Sequence, residues 1–321
     1  MSYLCVVMIL DIVFLLLGLV LILWGADRFT DGATGLARRW NVSELVIGLT
    51  IVALGTSLPE FMVSFMGAIR GSGDMSVSNV MGSNIFNTLI ILGVSCLLVD
   101  VSVSKGALLR DMPYTFLVSV VLSVVGILYG GFSRWSALLL LCLFGVFLAY
   151  SLYLGKTQNC DLDEKGSDAN PKQLPSLGKL FLLLVLGLLC LVGGGKLIVD
   201  SAAELARLFG ITERVIGLTI LAGGTSLPEL VTSVFAAKKG YNGLAVGNVL
   251  GSNIFNICFV LGACNMIAPM QISGIGLVDW AMLTGSCLLL WFFSFTGRRL
   301  VRWEGLLLMG CYLAYLASLL A

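Results

Sequence analysis

No histidine occurs among the 321 residues. Imidazole zinc ligands, histidine general bases and histidine proton relays are thereby excluded. Charge is scarce as well: Asp, Glu, Lys and Arg make up 12% of the chain, against about a quarter in ordinary globular domains. Nine cysteines are scattered singly with no CxxC pair. They read as small buried hydrophobes rather than metal ligands or disulfide halves. No GxxxxGK[ST] stretch is present, which argues against ATP-driven pumping. The net charge of +1 singles out no charged partner, so neither nucleic acid nor an obligate protein partner is expected.

What remains is apolar. Hydrophobic residues account for 58% of the chain, and apolar runs close to the ~20 residues that cross a bilayer recur from end to end. The composition implies an all-α, polytopic integral membrane protein whose main partner is the lipid bilayer. The first run, from about residue 12 to Trp24, has Asp11 before it and no basic leader. It reads as a first transmembrane helix rather than a cleaved signal.

An internal repeat decides the organisation. Residues 48–93 align without a gap to 217–262, with 25 identities in 46 positions at a constant offset of 169. Hydropathy places five spans in each half: 12–36, 43–69, 77–99, 112–130 and 134–155, then 177–205, 212–237, 244–267, 278–296 and 301–320. The halves are 1–155 and 177–321, and the polar segment 156–176 reads as a linker. An odd number of spans per half inverts the second half. Fourteen Lys and Arg residues flank loops after odd-numbered spans and five flank the others. The positive-inside rule then puts the linker in the cytoplasm of a cell membrane and both termini outside. Two inverted five-helix repeats are a secondary-transporter architecture.

Within each repeat stands "GTSLPE", at 55–60 and 224–229. Proline has no amide hydrogen, so the carbonyl four residues back loses its helical partner, and glycine loosens the turn further. Backbone oxygens freed at membrane depth are tolerated only against protein or a water-filled cavity. Beside a carboxylate they make a hard-cation site. Glu60 and Glu229 are the carboxylates set deep in a span, with no Lys or Arg nearby in sequence. If the repeat axis brings both to one cavity they repel, and a cation removes that penalty. The second element, "GSNIFN" at 82–87 and 251–256, adds the neutral oxygens of Ser83, Asn84 and Asn87 and of Ser252, Asn253 and Asn256. Gly82 and Gly251 permit close helix approach.

The doubled pair "GTSLPE…GSNIFN" resembles the two alpha-repeats of the sodium/calcium exchangers, within the cation/calcium exchanger superfamily, in their prokaryotic form. The resemblance implies ten spans, with broken helices 2, 3, 7 and 8 around a central ion site. It implies Ca²⁺ ligation by Glu60, Glu229, Thr56 and Thr225. For Na⁺ it implies Ala53, Thr56, Ser57, Glu60, Ser83, Ala222, Thr225, Ser226, Glu229 and Ser252, with Asn87 and Asn256 bordering the site. Asn256 stands where some relatives carry Asp, which argues against K⁺ co-transport. Two titratable groups then balance one Ca²⁺, whereas three Na⁺ would leave a net positive charge and a voltage-sensitive cycle. The first helix of each half, by the same resemblance, is a moving gate. Its charged residues Asp27, Arg28, Asp31, Lys196 and Asp200 read more simply as interface anchors.

The expected activity is Na⁺/Ca²⁺ antiport with no cofactor, the ions being the cargo. A Ca²⁺/H⁺ antiporter of the same fold is the alternative, since paired carboxylates also bind protons. A glutamate-lined channel fits inverted repeats less well. An intramembrane hydrolase lacks a nucleophile motif.

Overall fold

The computed structural model describes residues 2–157, 175–210, 220 and 222–320. Most of the expected linker at 156–176 and the start of the seventh span, 211–219 with 221, lie outside the described residues. The first half holds α1 (Ser2–Trp40), α2 (Glu44–Thr56), α3 (Leu58–Ile69), α4 (Gly73–Leu98), α5 (Ala107–Tyr129) and α6 (Arg134–Thr157). The second holds α7 (Leu177–Leu208), α8 (Ala222–Gly224), α9 (Leu227–Lys238), α10 (Asn242–Ile267), α11 (Leu277–Ser294) and α12 (Arg302–Leu320). Counting α2–α3 and α8–α9 as single interrupted spans, these are the ten expected.

The second span bends by 49° between α2 and α3. Ser57, at the break, has φ −84° and ψ 11°, and Ser226 at the equivalent break has φ −89° and ψ 9°. Each proline sits in the first turn of the helix that follows, where a missing N–H costs nothing. The interruption expected in spans 3 and 8 takes a different form. α4 and α10 run through as continuous helices, and each contains a π turn, at Asn87–Ile91 and Phe255–Val260. Such turns widen the helix by one residue; the first begins at Asn87 and the second at Phe255, one residue before Asn256.

Two short antiparallel ladders tie the halves together. Val101–Ser102 (β1), after the third span, pairs with Arg299–Leu300 (β4), after the ninth. Gly131–Phe132 (β2), after the fourth, pairs with Met270–Gln271 (β3), after the eighth. Loops that pair must lie on one side of the membrane, so odd connections meet odd and even meet even. Asp74, between the second and third spans, agrees: its carboxylate accepts bonds from the Ser273 and Gly274 amides and the Ser273 hydroxyl, in the eighth connection. These contacts are what inverted five-span halves require.

α1 and α7 pack closely as an antiparallel pair. A Cβ added to Gly18 would lie 2.8 Å from the Gly194 carbonyl oxygen, and one on Gly25 would lie 2.8 Å from that of Gly187. Small residues at these crossings let the backbones touch, the usual way helices associate in lipid. The outer flank of α1 exposes Leu16 and Val20, as a lipid-facing surface should. α4 and α10 form the buried centre, and the site lies between them and the two bent spans.

Candidate functional site: a two-carboxylate centre shared by the repeats

Glu60 and Glu229 open α3 and α9, each just past its break, and both are fully buried. Their contacts cross the repeat axis. The Ser226 hydroxyl donates to Glu60 Oε1 at 2.9 Å, and the Ser57 hydroxyl donates to Glu229 Oε1 at 2.8 Å. Each half therefore orients the carboxylate of the other. Neither carboxylate has a cationic partner among the described residues. The N-terminal end of the helix each one opens supplies some favourable potential.

The remaining expected residues gather around this pair. Thr56 lies beside Glu229 and Thr225 beside Glu60. The Ser252 hydroxyl reaches the Ala53 carbonyl at 3.5 Å. Ala222 opens the helical turn that precedes the second break. Asn87 donates through Nδ2 to Asn253 Oδ1 at 3.2 Å, and Asn256 through Nδ2 to Asn84 Oδ1 at 3.4 Å. Asn84 also donates to the Asn253 carbonyl, and Asn253 to the Thr88 hydroxyl. Four asparagines thus stitch α4 to α10 and fix the amide planes of Asn87 and Asn256.

Buried polar atoms in folded proteins are nearly always hydrogen-bonded. Among the described residues eleven buried side-chain atoms are not, and six of them belong here: Glu60 Oε2, Glu229 Oε2, Ser83 Oγ, Asn87 Oδ1, Asn256 Oδ1 and Thr225 Oγ1. Among the described residues, Asp11 Oδ2 on α1 is the other unpartnered carboxylate oxygen, whereas the carboxylates buried on the remaining helices are satisfied. Asp111 pairs with Arg110, and Glu304 accepts bonds from Thr296 and the Val301 amide. Free, buried oxygens that include two carboxylates have the chemistry hard cations take as ligands.

Two further asparagines, outside the expected set, hold the glutamates from behind. Asn79 donates to the Glu60 carbonyl (3.1 Å) and the Ser64 hydroxyl (2.9 Å). Asn248, its repeat equivalent, donates to the Glu229 carbonyl (3.4 Å) and the Ser233 hydroxyl (2.9 Å). Their signal in the sequence is the shared "NV" two residues ahead of each "GSNIFN".

The halves match in sequence but not in conformation. At one end Lys239, just past α9, reaches Asp27 and Asp31 of α1 at 2.6 and 2.7 Å. Arg28 stands 3.6 and 3.9 Å from the same carboxylates. At the other end the equivalent groups, Arg70 and Asp200, are exposed and have no ion-pair partner among the described residues. α1 packs along α9, while α7 makes no comparable contact with α3. The face of α3 bearing Leu58, Met62, Met66 and Ile69 is therefore exposed, and its counterpart Leu227, Val231 and Phe235 is partly covered. The long helix pair is thus closed against the Lys239 end and open, in the sense of standing off α3, at the Arg70 end, while Glu60 and Glu229 stay buried from both. Of the charged residues expected as anchors, Asp27, Arg28 and Asp31 serve as such in this conformation; Lys196 and Asp200 do not.

Comparison with known proteins agrees with this geometry. The sodium/calcium exchanger protein family matches residues 10–153 and 179–321. Sodium/calcium exchanger MaX1 of Methanosarcina acetivorans is 35% identical over 95% of this chain and 97% of its own. Inner membrane protein YrbG of Escherichia coli is 39% identical over 83% of this chain and 82% of its own. A solved structure of the sodium–calcium exchanger NCX_Mj, soaked with 10 mM Na⁺ and no Ca²⁺, superposes with a TM-score of 0.84. It is 34% identical and covers 97% of this chain and 99% of that one. A duplicated, inverted transporter core built around two unneutralised glutamates, with relatives aligned over nearly its whole length, places this chain in the sodium/calcium exchanger family.

Proposed function

We propose that this chain exchanges Na⁺ for Ca²⁺ across a cell membrane by alternating access, with charge movement and without K⁺. The observation that carries the reading is the set of free oxygens around Glu60 and Glu229. Two carboxylates match the charge of one Ca²⁺, and neutral hydroxyl and carbonyl oxygens suit Na⁺. Ca²⁺ is held by Glu60, Glu229, Thr56 and Thr225. Na⁺ uses the same four with Ala53, Ser57, Ser83, Ala222, Ser226 and Ser252, while Asn87 and Asn256 border the site. Because the ions share ligands, they compete, and competition for one site exposed alternately is what couples their movements. Asn256 in place of an acid leaves two titratable groups, which supports K⁺ independence. Loading with Na⁺ in excess of that charge makes the cycle respond to voltage, at about 2.3 kcal/mol per charge per 100 mV.

The organisation follows: repeats 1–155 and 177–321, a cytoplasmic linker 156–176 and both termini outside. With that orientation the Lys239 end is cytoplasmic and the conformation described here is open outward. The test is flux in proteoliposomes at clamped pH. A Na⁺ gradient should drive Ca²⁺ uptake, and a positive-inside potential should change its rate. Calcium movement that follows a pH gradient and ignores Na⁺ would favour the Ca²⁺/H⁺ alternative and refute the proposal.

A further inference from the structure

Asn79 and Asn248 occupy equivalent positions, and each grips the backbone of one glutamate through its Nδ2. Their amide oxygens differ. Asn248 Oδ1 meets the Thr56 hydroxyl at 3.1 Å, across the repeat axis. That hydroxyl also lies 3.1 Å from the Val52 carbonyl and 3.4 Å from that of Ala53, so its one proton is shared. The mirror contact would join Asn79 to Thr225, and it is absent: the Thr225 hydroxyl, though beside Glu60, has no hydrogen-bond partner. Burial follows the same division. Thr56 and Asn248 are fully buried, whereas Thr225 and Asn79 are half-buried. The formed contact lies in the half of the molecule that is closed by Lys239, and the missing one lies in the half that is open.

We propose that Asn79 and Asn248 are positioning residues that alternately clasp Thr225 and Thr56, so that each threonine hydroxyl is clasped when its end of the site is closed and freed when that end is open. In the conformation described here Thr56 is clasped and Thr225 is free for an incoming cation. In the opposite one Asn79 holds Thr225 and Asn248 releases Thr56. The grips on the glutamate carbonyls are present on both sides already and do not change. Of the contacts these two asparagines make, the threonine contact is the one that differs between the states, so it adds its own bias to the equilibrium between them. Its loss should change the ratio of states by roughly fivefold, the effect of one net hydrogen bond.

The proposal rests on the exchanger reading, but its test reads a distance and needs no flux. Spin labels at Ile69 and Glu204, both exposed, report whether α7 has closed on α3. They are introduced into the full chain with its native cysteines replaced, and double electron–electron resonance is recorded without Ca²⁺ or Na⁺. Asn248→Ala should raise the short-distance population, and adding Asn79→Ala to it should return the distribution toward wild type. Thr56→Val, which removes only the hydroxyl, should reproduce the Asn248→Ala shift and keeps the test available should the asparagine variants fold poorly. General damage to the site would not produce opposed shifts from equivalent residues. Asn248→Ala and Asn79→Ala moving the distribution in the same direction, or Thr56→Val leaving it unmoved, would overturn the proposal. Opposed shifts in a protein that shows no Na⁺-driven Ca²⁺ flux would instead refute the exchanger reading and leave the clasp standing.

Discussion

Replacing Glu60 by glutamine changes charge and almost nothing else. Glutamine keeps the volume and an acceptor oxygen, so the Ser226 hydroxyl, now 2.9 Å from Oε1, still has its partner across the repeat axis. Two like charges in one buried site repel, by about 4 kcal/mol if they were ~4 Å apart at an effective dielectric of about 20. Without ions, and at a pH high enough to ionise both carboxyls, that repulsion is borne by the fold, because no Lys or Arg offsets it among the described residues. The Glu60→Gln protein should therefore be more stable than wild type when ion-free. It should also lose its response to Ca²⁺. A ligand at a hundredfold excess over its Kd stabilises by about 2.7 kcal/mol, which appears as a rise of several degrees in unfolding temperature. Thermal unfolding of purified protein in detergent, with chelator and with Ca²⁺, reads both effects. The wild type should rise on adding Ca²⁺; Glu60→Gln, and equally Glu229→Gln, should start higher and stay flat. A glutamine variant that keeps the wild-type rise would refute the site. An ion-free variant less stable than wild type would refute the electrostatic argument while leaving the ligand assignment open to flux measurements.

Asn256→Asp places a third acid beside the pair, and its transport should become dependent on pH or K⁺; a profile identical to wild type in both would remove Asn256 from the border of the site. Lys239→Met should release α1 from α9 and raise the population closed at the Arg70 end, read by the same spin-label pair at Ile69 and Glu204. For the ionisation of Lys239, partial burial works against the charge, but Asp27 and Asp31 outweigh it and hold the ammonium above the ordinary lysine range. A raised pKa means that this tie is fully present at neutral pH and is lost only as pH climbs through the raised value, so the conformational ratio should not vary through Lys239 between pH 6 and 9. Gly25→Leu drives a side chain into the Gly187 carbonyl and Leu191 amide, 2.8 and 2.9 Å from its Cβ, and should destabilise by about 1–3 kcal/mol. Gly178→Ala, with open space around the added carbon, should be neutral or slightly stabilising in the same unfolding assay.

The duplicated motifs made much of this legible from sequence. Gly55, Pro59 and Glu60, repeated as Gly224, Pro228 and Glu229, fix where two helices break and which acid follows each break. The count of five spans fixes that the halves are inverted, and the β1–β4 and β2–β3 ladders obey the parity that count demands. Other features lay beyond it for a physical reason. That spans 3 and 8 carry π turns within continuous helices has no signature in the local sequence pattern. Asn79 and Asn248 read as ordinary polar residues until the fold puts a glutamate carbonyl in front of each. The conformation itself was hard to read because its signal lies in small differences between similar halves, such as Asp27 standing where the other half has Lys196.

The uncovered face of α3 has a consequence for the energetics of the stroke. Leu58, Met62, Met66 and Ile69 are 39–57% exposed, while Leu227, Val231, Phe235 and Lys238 occupy the equivalent positions along α9, beneath α1. If the long helix pair leaves one face as it settles on the other, most apolar area given up at one end is recovered at the other. Only the mismatch between two imperfect copies then separates the end states, and it is small beside what two carboxylates exchange with a cation. Duplication supplies a near-degenerate pair of resting positions, and divergence between the copies sets the tilt. In such a protein the preferred resting orientation can be tuned by substituting residues that never touch an ion.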